Sequence, residues 1–119
     1  MFGVALSGGG KVVASGSKDT MIHLLDMKAS DETMILKGHS NSVHGVVLTR
    51  DGTVLASGSA DNTAKLWDVK TGKETATLAG HTSAVASVAF SGYGTLLATG
   101  SWDRTVKLWD VPGAKKPDK

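Results

Sequence analysis

Two segments of the chain each carry a hydroxyl, an imidazole and a carboxylate: Ser57, His39 and Asp61, then Thr99, His81 and Asp103. This is the inventory of a hydrolase triad, in which the imidazole activates the hydroxyl and the acid orients the imidazole. A tryptophan accompanies each set, at Trp67 and Trp109. A second candidate chemistry is phosphate binding, at Ser7-Gly8-Gly9-Gly10-Lys11. The spacing of a phosphate loop fails there. Five residues before Gly10 stands Ala5, and Val12 rather than a hydroxyl residue follows Lys11. No helix signal follows to supply a positive dipole end. A third candidate is metal binding. None of the histidines has a second histidine two to four residues on, and there is no cysteine. No metal and no cofactor is expected.

The triad-like sets do not stand alone. His39 recurs as His81, Asp61 as Asp103 and Trp67 as Trp109, each 42 residues on. Residues 38–69 align with 80–111 without a gap at 17 identities in 32. Residues 4–27 align with 46–69 at 11 in 24. Three ungapped copies at one period mean an array of like units. Valine, threonine, serine and glycine dominate, so strands are expected rather than helices. In the middle copy residues 43–49, 54–59, 63–69 and 74–79 read as strands. Arg50-Asp51-Gly52-Thr53, Ala60-Asp61-Asn62 and Lys70-Thr71-Gly72-Lys73 read as the turns between them. Four such strands make an antiparallel meander. In the same register the glycines at 8–10 match the Arg50-Asp51-Gly52 hairpin turn. The strands are apolar or small on both faces, so each sheet needs a neighbour on both sides, and radial stacking supplies it.

Gly38-His39 to Trp67-Asp68 and Gly80-His81 to Trp109-Asp110 resemble the Gly-His and Trp-Asp signature of the WD-repeat family of β-propellers. The resemblance covers residues 2–111. It implies an all-β fold, here a partial propeller of three four-stranded antiparallel blades in an open arc. Blade 1 is expected at about 2–37, blade 2 at 38–79 and blade 3 at 80–111. The last blade lacks its outer strand, because the polar Pro/Lys tail of residues 112–119 stands in its place. Eleven strands are expected in all. The resemblance also implies that Trp67, Ser57, His39 and Asp61 form a buried hydrogen-bonded relay, as do Trp109, Thr99, His81 and Asp103. On this reading the sets are structural, since an enzyme rarely needs one active site per repeat. Gly38 and Gly80 are expected to supply unusual dihedrals at a sharp turn. Asp68 and Asp110 are expected at the surface or in local pairs.

The first copy departs from the pattern. Leu25 stands at the Trp position and no Gly-His precedes it. Ser15 and Asp19 remain as a partial relay, and packing of Val4, Leu6, Val13, Ile22 and Leu24 must hold the blade. Met1 falls at the start of an innermost strand, so no earlier segment is available to close a ring. Three blades do not close a propeller, which typically has four to eight. Three readings follow, the first leading: a fragment of a larger propeller, self-association of two or three copies into a ring of six or nine blades, or an open arc docked on a partner.

Charge narrows the function. There are 13 Lys plus Arg against 11 Asp plus Glu, a net +2. The excess lies in the tail, and residues 1–113 balance to zero. A neutral body is a poor match to nucleic acid or an anionic membrane. No apolar run reaches membrane-span length and residues 1–10 do not form a signal peptide, so an intracellular protein, cytoplasmic or nuclear, is expected. The resemblance implies a non-enzymatic scaffold or adaptor that binds protein or peptide partners on a rim of turns. By register the rim candidates are Phe2 and Lys18, then Ser42, His44 and Ala60, then Ala84, Ala86, Trp102 and Arg104. Trp102 stands where the other copies have Lys18 and Ala60, so the fold does not demand it. The alternative is a regulatory or structural part of a larger multidomain protein, such as an enzyme with its catalytic part elsewhere.

Overall fold

A computed structural model describes residues 3–6, 12–16, 20–26, 33–50, 52–91 and 94–111. The tail after Val111, Phe2, Lys18, Asp19 and the glycines at 8–10 lie outside the described residues. Eleven strands and no helix are found among them. They are β1 (Gly3–Leu6), β2 (Val12–Gly16), β3 (Ile22–Asp26), β4 (Thr33–Leu36), β5 (Val43–Leu48), β6 (Val54–Ser59), β7 (Thr63–Asp68), β8 (Glu74–Ala79), β9 (Val85–Phe90), β10 (Leu96–Ser101) and β11 (Val106–Asp110). Within each sheet every strand pairs antiparallel with the next in sequence. This gives two four-stranded meanders, β1–β4 and β5–β8, and a three-stranded one, β9–β11. None is closed. The array measures 42 × 39 × 19 Å. Its thin dimension matches a six-residue strand, about 20 Å.

The turns follow from residue type. Gly52 and Gly94, 42 residues apart, take φ of 75° and 72° in the hairpins that open β6 and β10. At the other end of the sheets, Thr20, Asn62 and Arg104 take φ of 77°, 75° and 72°. The β6–β7 and β10–β11 turns are closed by hydrogen bonds from Asn62 N to Ser59 O and Arg104 N to Ser101 O, both 3.2 Å. This is a tight turn followed by one left-handed residue, a common three-residue hairpin. Asparagine tolerates that backbone, whereas threonine and arginine are strained in it.

Two cores lie between sheets. Val12, Ala14, Ile22, Leu24 and Leu36 of the first sheet meet Val43, Val46 and Leu48 of the second. Ala56 and Leu66 of the second sheet join Leu97, with Val88 and Phe90 of the third packed alongside. The inner strand of each later sheet sits across the face of the sheet before it: β5 meets β1 and β2, and β9 meets β5, β6 and β7. Each large aliphatic buried in these joints contributes about 1.5–3 kcal/mol.

Of the residues expected to hold the first sheet, Ile22 and Leu24 are buried and Val13 is half-buried. Val4 is exposed, which corrects that expectation. Strand alternation turns it to the face opposite Ala14 and Ile22, where no described sheet lies. The side chain of Leu6 lies outside the described residues.

Candidate functional site

In the second sheet the segment before β5 supplies His39, β6 supplies Ser57, the β6–β7 turn supplies Asp61 and the end of β7 supplies Trp67. The indole Nε1–H of Trp67 donates to Ser57 Oγ at 2.9 Å. Ser57 Oγ lies 2.6 Å from His39 Nε2, and His39 Nδ1 lies 2.9 Å from Asp61 Oδ2. The carboxylate can only accept, so Nδ1 carries the proton and Nε2 accepts from the serine; the tautomer is assigned from this network. The third sheet repeats it. Trp109 Nε1 donates to Thr99 Oγ1 at 2.9 Å, Thr99 Oγ1 meets His81 Nε2 at 2.7 Å, and His81 Nδ1 meets Asp103 Oδ2 at 2.9 Å. Ser57, Thr99 and both histidines are buried. No buried side-chain nitrogen or oxygen among the described residues lacks a partner. In the first sheet Ser15 is half-buried opposite His23. Its partner candidate Asp19 lies outside the described residues.

The electrostatics follow from these contacts. Burial holds His39 below its ordinary 6.5, although its bond to Asp61 pulls the other way. Burial alone would raise Asp61. Hydrogen bonds from Thr63, His39 and Ser40 outweigh it and lower the carboxyl to about 2. Asp103 is also lowered, chiefly by its hydrogen bond from the Thr105 hydroxyl. A neutral imidazole on a firmly ionised carboxylate is therefore the resting pair at Asp61.

Sequence reasoning missed these carboxylate partners. Thr63 gives Asp61 Oδ1 both its backbone N–H, at 2.9 Å, and its hydroxyl, at 2.6 Å. Ser40 N donates to Oδ2 at 3.1 Å. Thr105 and Thr82 do the same for Asp103. The signal was present as Asp-x-Thr at both 61–63 and 103–105. Lys65 was also missed. It is buried, with Nζ 2.9 Å from both Glu74 Oε2 and Thr77 Oγ1, and so ties β7 to β8.

Gly38 has a different role from the one expected. Its φ is not left-handed. A Cβ there would lie 2.8 Å from Trp67 Cη2 and 2.9 Å from Glu74 Oε1. Glycine is needed for space against the indole rather than for its dihedrals. At Gly80 the matching distance to Trp109 Cη2 is 3.4 Å, an ordinary contact. Asp68 is half-buried and accepts from Lys70 N at 2.9 Å, while Asp110 is exposed.

The rim is built by turns. Ala60 N donates to Ser42 O at 2.8 Å, and Trp102 N donates to Ala84 O at 3.0 Å, so each hairpin tip is pinned to the entry of its inner strand. Ser42, Ala60 and Ala86 are half-buried there. Ala84 is buried, which corrects its choice as a contact residue: the hairpin that carries Trp102 lies over it. The register of β5 slips between Val43 and Gly45, so His44 is an extra residue in a bulge, and Ala86 occupies the same place in β9. The bulge re-aims His44 toward the neighbouring sheet. Its ring meets Trp102 at 5.5 Å between centroids, tilted by 49°. Trp102 keeps 65% of its surface exposed despite this contact. Arg104 is exposed two residues on. Phe2 and Lys18 lie outside the described residues.

No curated protein gives a significant match to this chain. A family model, the WD domain, G-beta repeat, matches residues 30–68 and 72–110. Each match begins in the outer strand of one sheet and runs through the three inner strands of the next: β4 with β5–β7, then β8 with β9–β11. Domains built from this repeat are generally non-catalytic interaction modules. Two matched repeats covering more than half the chain, on meander sheets carrying the Trp–hydroxyl–His–Asp relay, make this chain a member of the WD40 repeat family.

Proposed function

We propose that this chain is a non-enzymatic scaffold that binds a protein or peptide segment on the rim between its second and third blades. The observation that carries this reading is Trp102. It is a large aromatic open to solvent on a hairpin pinned to Ala84 by a backbone hydrogen bond, and it is backed by His44 of the neighbouring blade. Exposed tryptophans on rigid surfaces are favoured anchors in interfaces. Arg104 beside it suits a carboxylate on the partner. The preferred segment is therefore an aromatic or aliphatic side chain next to an acidic one.

The relay argues against hydrolysis at the triad-like sets. A nucleophilic serine needs a free approach to its oxygen. Ser57 Oγ instead accepts the indole proton and donates its own to His39, and both Ser57 and Thr99 are fully buried. These groups brace the blades on this reading.

Selection of displayed peptides on the 119-residue protein tests the proposal. Acidic peptides with an apolar anchor are expected. They should lose binding to Trp102→Ala at an unchanged melting temperature, and Arg104→Glu should turn selection away from acidic residues. Selected peptides that bind Trp102→Ala as well as the parent would overturn it.

A further inference from the structure

Each internal joint in the array is built the same way. Val43 of the second blade fills the space above Gly16 of the first: a Cβ on Gly16 would lie 2.7 Å from Val43 Cγ1. Val85 and Val88 of the third blade do the same above Gly58, with Cγ1 atoms at 2.6 and 3.2 Å. Glycines 16, 58 and 100 are equivalent positions, 42 residues apart. At Gly100, among the described residues, a Cβ would meet only Ser87 Oγ of its own sheet, at 2.9 Å. The third socket is open. Its surroundings are open too. Leu24 and Leu66, beside the filled sockets, are 3% and 1% exposed, whereas their equivalent Leu108 is 69% exposed. Val106 is exposed where Ile22 and Ala64 are fully buried.

The opposite end of the array carries the matching half. Val4 is the equivalent of Val46 and Val88, which pack onto the preceding blade. Val46 is 8% exposed and Val4 is 60% exposed. The residue equivalent to Val43 and Val85 is Met1, outside the described residues. One chain thus presents a socket face on its third blade and a plug face on its first, and both internal joints show how such faces fit.

We propose that a second copy of this chain docks head to tail on the third blade, seating its Val4 face against Gly100, Val106 and Leu108. The contact is heterologous, joining different patches on the two copies, and such contacts form rings when the rotation closes. Two copies joined at both faces make a ring of six blades, within the range of closed propellers. Both open faces are then covered. The inference is independent of the rim reading, because it uses the blade faces and not Trp102.

Light scattering on the 119-residue protein tests it, with Val4→Glu and Leu108→Glu as probes. Both positions are open in the single chain, so the variants should keep the parent's circular dichroism and melting curve in the monomer. The parent is expected at twice the monomer mass at micromolar concentration. Each variant alone should be monomeric, its dimer weakened at least ~100-fold by a carboxylate placed in an apolar joint. An equimolar mixture of the two should regain a dimer, weaker than the parent's, because one joint of the two is intact. Several results would overturn the proposal: a parent that stays monomeric, including one that uses this face for a different protein; a single variant that still dimerises; a mixture as monomeric as its parts; or association of the parent without fixed mass.

Discussion

Gly38 and Trp67 are in such close approach that the glycine has no room for a side chain: the indole Cη2 would lie 2.8 Å from an added Cβ. Trp67 is fully buried and held by Ser57, so it cannot swing away without breaking the relay. Gly38→Ala is expected to destabilise the protein by about 1–3 kcal/mol. Gly80→Ala should cost far less, because the same contact to Trp109 is 3.4 Å. Urea denaturation of the two variants checks this, and equal losses would contradict it.

Removing His81 leaves the Thr99 hydroxyl and the Asp103 carboxylate without their shared partner. His81→Ala should lower stability by about 1–3 kcal/mol. Ser57→Thr should be tolerated to within about 1 kcal/mol, since threonine does the same work at position 99 in the next blade. An unchanged melting curve for His81→Ala would remove the bracing role.

Acid should weaken the fold in two stages. The folded chain takes a proton at His39 less readily than the unfolded chain does. Its contribution is therefore complete above pH 6.5 and declines as the pH falls below that value. The folded Asp61 carboxyl, at about 2 against an ordinary 3.8, resists protonation as well, so a second decline runs from 3.8 toward about 2. Melting temperatures measured from neutral to acidic pH should show both, and the first should shrink in His39→Gln. Stability that rises on acidification from pH 7 would have the wrong sign for this relay.

The hairpin beside Trp102 carries strain. Arg104 sits at φ 72°, where Asn62 sits comfortably at 75° in the blade before it. Arg104→Gly should stabilise the protein by roughly 0.5–1 kcal/mol, and Asn62→Ala should cost about 1 kcal/mol. Thermal unfolding of both variants gives the two signs directly. A loss in Arg104→Gly would mean that the arginine side chain outweighs its backbone.

Much of this was legible in the chain. The 42-residue spacing picked out His39, Asp61 and Trp67 with their copies, the family resemblance joined them to Ser57 and Thr99 in a relay, and turn chemistry placed the strands to within a residue, as at Val43–Leu48 and Glu74–Ala79. What the pattern did not carry was which of two equivalent apolar residues is covered. Leu66 and Leu108 read alike in sequence, yet a neighbouring blade covers only one of them. Ala84 also reads as a rim residue, and only the fold lays the Trp102 hairpin over it. The contact of His44 with Trp102 depends on one bulge residue, which strand alternation does not announce.

The matched repeat and the folded sheet are out of step by one strand, since residues 72–110 begin with β8 of the second blade and end with β11 of the third. The segment that duplication would copy is thus not the segment that folds as a unit. Each copied stretch completes the sheet before it and leaves its own sheet one strand short. Neighbouring copies are therefore stitched together by the backbone as well as by side chains, and an inserted repeat would enter the array already threaded into both of its neighbours.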